Sequence, residues 1–409
     1  MVGTAKEYLG LFLLKAGATG MALAFWILVG RHASVSLFGE FQYSMTVISS
    51  LTFLCGFGVP QAIFQKVLNL NGRRMASAYI FAGWAISIFS LSLCALLILA
   101  LAVFSWVSSA GFLCVLAGFS ICRLFMMEVC RAHGTSLFFY LSEFLQASIR
   151  LVAFYAFNTV FDLEASFFGS VILSLAFSSF FLCLRDMGIF GVPSKRFLHR
   201  GVELLGVGKF MLLNALSWQI VSWSDFYMLK FLADEEDLGV YAISNRIAMT
   251  LLFVVPISAA LFPRKIVASF NSSEFRAARS YLYQSWLVGL LFVFVASCTL
   301  GLFVDEILAF MGKHEYRHSV HIGVLALTVG YFAQGVLGPL GVIGNGLQLH
   351  RKMMTINLFC CVLNLSGNYI LIGELGFVGA AVSTSLTLLT MKILQCAIVG
   401  KSLKVLPLS

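Results

Sequence analysis

The sequence predicts an all-α polytopic membrane protein of about twelve transmembrane helices in two repeated halves. Three observations carry this prediction: an apolar composition, apolar stretches of bilayer length along the whole chain, and an internal echo between the halves. Of the 409 residues, 60% are hydrophobic and 11% charged, with mean hydropathy +0.95. Soluble domains carry about 25% charged residues, so this chain lacks the polar surface to live in water. A helix needs about 20 apolar residues to cross a bilayer, and such stretches recur from Tyr8 to Val399.

In the first half the expected spans are Tyr8–Gly30, Phe41–Phe64, Ala76–Leu99, Gly111–Met127, Leu137–Val160 and Ser166–Leu184. In the second they are Lys209–Leu232, Gly239–Phe262, Tyr281–Val304, Ser319–Ile343, Met353–Ile372 and Phe377–Val399. The first has no cleavage-site pattern before the next span and reads as a retained helix rather than a signal peptide. The longest polar interruption, Arg185 to Lys209, falls near the middle. There Phe197, Leu198, Val202 and Leu205 share one helical face, with Lys195, Arg196 and Arg200 around the other. It reads either as a basic amphipathic helix in the membrane interface or as a solvated loop. Either way, 185–208 is a cytoplasmic connector between an N-terminal lobe over 1–184 and a C-terminal lobe over 209–409.

The formal charge of +9 would suit nucleic acid, but its placement points elsewhere. With the N-terminus inside, the inner segments hold Lys66, Arg73, Arg74, Arg131, Arg264, Lys265, Arg351 and Lys352 among others. The outer ones hold Arg31, Lys313 and Arg317. That asymmetry orients a membrane protein with both termini cytoplasmic. The partner is the bilayer, and no nucleic acid is expected. The longest outer connection, Asp305–His318, is too short for an extracytoplasmic domain. Ten cysteines show no C-x-x-C pairing and nearly all lie in apolar spans, so neither a disulfide framework nor a metal site is read from them.

The halves echo each other. Phe38-Gly39-Glu40-Phe41-Gln42-Tyr43-Ser44 is matched by Leu238-Gly239-Val240-Tyr241-Ala242-Ile243-Ser244, each opening the second helix of a hairpin. That helix carries Pro60 in one copy and Pro256 in the other, and ends in Gln65-Lys66 or Arg264-Lys265. The copies share one orientation, a parallel repeat about an axis along the membrane normal.

At these residues the chain resembles a known family. Asp225, the run Ala233-Asp234-Glu235-Glu236-Asp237-Leu238-Gly239-Val240-Tyr241-Ala242, and Pro263 resemble the seventh and eighth helices of Wzx-type polysaccharide flippases. Those belong to the multidrug/oligosaccharidyl-lipid/polysaccharide exporter superfamily. Leu37-Phe38-Gly39-Glu40-Phe41 with Gly56-Phe57-Gly58 resembles the family's first hairpin. Leu337-Gly338-Pro339-Leu340-Gly341 and Leu375-Gly376-Phe377-Val378-Gly379-Ala380-Ala381 resemble later segments. The resemblance implies two six-helix lobes around a central cavity. It further implies a flippase moving an undecaprenyl-pyrophosphate-linked O-antigen or similar repeat unit across the bacterial inner membrane. Lipopolysaccharide biosynthesis, with a polymerase and a chain-length regulator as partners, would be its setting.

Charges within spans are the candidate site. Each costs about 2.5–3.5 kcal/mol at a helix centre and usually faces a watery cavity or bundle interior. Lys15, Arg31, Arg123, Arg150, Arg246 and Lys392 would line a cationic cavity suited to pyrophosphate, since arginine grips phosphate as a fork. Lys209 and Lys230, near helix ends, can snorkel. The alternative is structural pairing with Glu128, Glu143 or Asp225. Glu143, Gln146 and Arg150, on one face of the fifth span, would close such a network locally. Asp225 would bind a coupling proton or sodium ion, or pair with a cation; Glu143 stands beside it as a second candidate. Asn357, Asn364 and Asn368 form a stripe for sugar contact or for helix–helix hydrogen bonding.

Rival chemistries find less support. His314-Glu315-Tyr316-Arg317-His318 fits H-E-x-x-H but sits in an outer loop without a clear third ligand, so no zinc site is expected. There is no phosphate-cradling loop and no nucleophile elbow, so neither a cofactor nor an enzymatic activity is expected. A polysaccharide polymerase would need a larger outer loop. A drug/cation antiporter of the same superfamily commonly carries an acid in the first helix, where this chain has Lys15. A lipid II flippase usually has two further C-terminal helices.

Overall fold

The expected spans fall largely on helices in the computed structural model, which describes residues 5–60, 62–63, 73–103, 110–132, 136–186 and 197–404. The helices of the first half are α1 (Ala5–His32), α2 (Val35–Cys55), α3 (Arg73–Val103), α4 (Ala110–Ala132), α5 (Ser136–Phe157) and α6 (Leu163–Asp186). Those of the second are α7 (Phe197–Leu232), α8 (Glu235–Met249), α9 (Val254–Leu261), α10 (Pro263–Asn271), α11 (Phe275–Met311), α12 (Arg317–Leu337), α13 (Leu340–Gly346) and α14 (His350–Ser402). Among the described residues there is no strand. Nine of their helical stretches are long and apolar enough to cross a membrane, and α14 holds two expected spans. α2 and α7, outside that set, carry polar side chains of the sites below. The chain is a multi-pass membrane protein.

The hairpin corners repeat to the residue. α1 ends at His32 and α2 starts at Val35; α7 ends at Leu232 and α8 starts at Glu235, each 200 positions on. The second span of each half is interrupted rather than continuous as expected. α2 stops at Cys55 because Phe57 (φ 49°) and Gly58 (φ 66°) turn left-handed before Pro60. α8 stops at Met249, tightens through a 3-10 turn over Thr250–Phe253, and resumes in α9 with Pro256, which has no N–H to give. α12 ends at Leu337, where Gly338 (φ 64°) turns the chain before Pro339. Within α14 the chain turns at Gly376 (φ 55°), and the Phe377 amide donates to Asp237 Oδ2 at 3.2 Å. A side chain at position 376 would collide with Asp237.

The connector departs from expectation. α7 begins at Phe197 and runs unbroken to Leu232, so the amphipathic stretch is the first part of the seventh span's helix rather than a separate interfacial helix. Leu204 enters the core while Leu205 stays exposed. Arg200 Nη1 donates to Glu203 Oε2 at 2.9 Å and to Tyr79 Oη at 2.7 Å. That Glu203 carboxylate holds the Arg200 guanidinium above its ordinary pKa. Lys195 and Arg196 lie outside the described residues.

By its contacts the chain divides into two units: Met1–Phe25 with Ser44–Leu216, and Trp26–Tyr43 with Ser217–Ser409. In the first, Ile63, Tyr79, Ile80, Phe125, Met126, Leu182 and Leu204 form a core cluster. In the second, the Phe226 and Tyr241 rings meet edge to face, with centroids 5.1 Å apart, both fully buried.

Candidate functional site

In the first unit, α1, α4 and α5 bring three cations and one acid together. Lys15 Nζ donates to Glu143 Oε2 at 2.8 Å and stands 5.9 Å from the Tyr140 ring centroid. Arg123 Nε donates to Ser178 Oγ at 3.1 Å and lies in the field of Glu143. Arg150 lies in the field of Arg123, its guanidinium 5.2 Å from the Phe25 ring. At 1.5 Å per residue, Lys15 is about 15 Å along α1 and Arg150 about 21 Å along α5. These charges are therefore in the body of the bilayer.

The alternative Glu143–Gln146–Arg150 network does not form, because Glu143 turns across to Lys15. Among the described residues Arg150 makes no ion pair or hydrogen bond, and its buried Nε has no partner. Glu128, buried on α4, has partners of its own. Lys15, Arg123 and Arg150 set against Glu143 leave an excess of two positive charges.

In the second unit, Asp225 of α7 is buried and held by neutral groups instead of a cation. Tyr241 Oη donates to its Oδ2, and Asn368 Nδ2 donates to its Oδ1 at 3.4 Å. Ser224 Oγ donates to Asn364 Oδ1 at 2.5 Å, and Asn364 Nδ2 donates to Thr384 Oγ1 at 3.3 Å. The result is a nest of oxygens, and one of them, Asn368 Oδ1, is buried with no partner. Carboxylate, amide and hydroxyl oxygens so placed can hold a small hard cation or a proton.

Asp225 stands 200 positions after Phe25, as the repeat requires. Phe25 packs on Phe154 and Phe167, with centroid distances of 5.6 and 5.9 Å, and sits under Arg150. Equivalent nodes thus carry opposite chemistry: an arginine over an aromatic in one half, a carboxylate among oxygens in the other.

The remaining expected residues lie elsewhere. Arg246 Nε donates to Gln42 Oε1 at 2.8 Å and its guanidinium stacks 4.2 Å from the Trp26 ring centroid. Arg31 is exposed, 5.1 Å from the Phe310 ring centroid. Lys392 is buried, donating to the Gly338 carbonyl at 2.6 Å. That carbonyl, at the break before Pro339, also accepts from the Leu340 amide at 3.0 Å. Asn357 accepts from Gln395 Nε2 at 3.4 Å, separate from Asn364 and Asn368. Arg317 of the His314–His318 segment, and His321 just beyond it, are drawn to Asp305. Sequence reasoning missed Tyr241, Ser224, Thr384 and Gln42; the polar residues interrupting apolar α2 and α7 were the available signal.

Residues 5–266 match the sequence profile described as Polysaccharide biosynthesis protein, and residues 211–370 match the MatE profile. The probable low-salt glycan biosynthesis flippase Agl15 of Haloferax volcanii is 27% identical over 191 residues, 45% of this chain and 39% of that protein. The probable flippase AglR of the same organism is 25% identical over 288 residues, 68% of this chain and 57% of that protein. The chain thus spans less than two thirds of the length of either. A mutant Vibrio cholerae MATE transporter, VcmN, superposes with TM-score 0.71 at 14% identity over 98% of both chains. An inward-facing multidrug resistance MATE family transporter of the MOP superfamily gives TM-score 0.69 at 14% identity, covering 97% of this chain and 94% of that one. At such identities the likeness establishes the fold. Since the first profile covers more than half of the sequence, the chain belongs to the polysaccharide biosynthesis protein family, built on the fold of the multidrug/oligosaccharidyl-lipid/polysaccharide exporters.

Proposed function

We propose that the protein is a flippase for a lipid-linked oligosaccharide, carrying an undecaprenyl-pyrophosphate head group from the cytoplasmic to the outer leaflet. The observation that carries this reading is Arg150: a cation in the body of the bilayer with no carboxylate or hydrogen-bond partner among the described residues. Leaving it so is costly unless a ligand supplies the missing charge. A pyrophosphate diester carries one negative charge on each phosphate, matching the excess of two in the cluster. Lys15 and Arg123 would receive the head at the depth of Glu143, and Arg150 would hold it further out. The prenyl chain stays in lipid, and the oligosaccharide follows the head through the cavity that the family's fold implies.

Asp225 fits the coupling role. A cation or proton in its nest would bias the second half between two arrangements, supplying the drive that the chain lacks as ATP hydrolysis. A drug/cation antiporter shares the fold, but a positively charged cargo would meet net repulsion at Lys15, Arg123 and Arg150. An O-antigen unit in a bacterial inner membrane, passed on to a polymerase and chain-length regulator, is the setting we propose.

The test is complementation of bacterial strains lacking their own O-antigen flippase, using several donor sugars. Wild type should restore surface polysaccharide, and Arg150→Ala at matched expression should not. Restoration by both would remove Arg150 from the mechanism. Failure of wild type with every donor sugar would overturn the substrate.

A further inference from the structure

Along α11 in the second unit lies an open depression of about 660 Å³ lined by Arg276, Arg279, Ser280, Tyr283, Gln284 and Leu287, all of that helix. Neither the Arg150 cluster nor the Asp225 nest includes any of these residues. Among the described residues neither guanidinium has a carboxylate within ion-pair distance. Arg279 spends only its Nε, on the Phe275 carbonyl at 3.4 Å. Between Arg264 and Leu300 the sequence holds Arg264, Lys265, Arg276 and Arg279 against one acid, Glu274.

The order of side chains along this face is that of an amphiphile. Arg276, Ser280, Tyr283 and Leu287 follow one another at helical spacing. The stripe then continues through Leu291 and Phe294, which are 58% and 60% exposed. Arg276 to Gln284 covers about 12 Å of charged and hydrogen-bonding groups, and the apolar part beyond Leu287 runs for about 20 Å. Gln284 Nε2 donates to Ser280 Oγ at 3.3 Å, keeping two polar groups within the first zone. The Tyr283 ring is braced edge to face on Trp286, with centroids 5.7 Å apart.

We propose that this groove binds an anionic membrane phospholipid, with its phosphate forked by Arg276 and Arg279 and its acyl chains lying along Leu287, Leu291 and Phe294. Two planar guanidiniums a turn apart fit a phosphate better than a carboxylate-free solvent face requires. The apolar continuation favours a lipid over a free phosphate, which would gain nothing beyond Gln284. This site is separate from the Arg150 cluster and does not depend on the proposed cargo.

The test is lipid retention by the purified full chain in native mass spectrometry, after exchange into detergent with phosphatidylglycerol or phosphatidylcholine. Wild type should retain phosphatidylglycerol preferentially. Arg276→Gln/Arg279→Gln should lower that retention about tenfold, and Leu287→Asp should lower it with the arginines intact. Arg150→Gln should leave it unchanged, and glycerol phosphate should not displace the lipid. Equal retention of the two lipids, undiminished retention in the double variant, or displacement by glycerol phosphate would overturn the proposal.

Discussion

Gly39 and Gly239, the same position in the two copies of the repeat, pack backbone against backbone. A β-carbon on Gly39 would lie 2.8 Å from the amide nitrogen of Gly239, and one on Gly239 would run into the Val35 carbonyl. Backbone cannot yield as a side chain tip can. Alanine at either position should therefore cost about 1–3 kcal/mol of stability. Gly20, with nothing within 4 Å, is the control. There alanine should be neutral or stabilising by up to about 1 kcal/mol. Thermal unfolding of the purified variants compares the three.

Lys15 and Arg150 should separate stability from transport. Lys15→Ala strands Glu143 inside the bilayer and should cost about 1–3 kcal/mol, recovered in Lys15→Ala/Glu143→Ala. Arg150→Leu removes a cation that, among the described residues, has no carboxylate or hydrogen-bond partner to strand. It should leave stability level or raised while transport is lost. Unfolding and complementation, measured on the same variants, check the split.

Asp225→Asn keeps the shape of the nest and removes its charge. If the nest holds sodium, sodium at constant ionic strength should raise the unfolding temperature of wild type above that in choline, and the variant should lose the difference. If it holds a proton, the sodium effect is absent in both, and transport in the variant should no longer respond to the proton gradient.

Lys392→Met should behave as a fold variant. It removes one of the two donors to the Gly338 carbonyl, which keeps the Leu340 amide at 3.0 Å, and should cost about 1 kcal/mol. Transport per folded molecule should stay near that of wild type. A specific loss of transport at unchanged stability would return Lys392 to the cargo path.

Arg246→Lys keeps the charge but cannot reproduce both the fork to Gln42 and the stacking on Trp26. A stability loss of about 1 kcal/mol is expected, read by the same unfolding assay.

The spans were legible because bilayer length and apolarity act on sequence directly, and the repeat because Gly39 and Gly239 recur with their neighbours. Which cations gather was not legible. Lys392 and Arg150 look alike as intramembrane charges, yet one donates to a carbonyl and the other, among the described residues, lies over the Phe25 ring with no hydrogen bond or ion pair. That difference depends on a helix break at Gly338 formed by residues about fifty positions from Lys392. Sequence left open whether Glu143 closes on Arg150 along its own helix, and in the structure it pairs with Lys15 across helices. The Asp225 nest escaped notice because serine, threonine and asparagine in membrane helices ordinarily bond to each other, and sequence does not reveal when they converge on one acid.

The matched corners, His32 to Val35 and Leu232 to Glu235, have a bearing on descent. A pair of identical six-span subunits would carry any substitution twice, so a charge gained at one node would appear at both. A single chain that carries both copies is free of that constraint. Position 25 is aromatic under an arginine while position 225 is an acid, so under the proposed function the two nodes would prefer ligands of opposite sign.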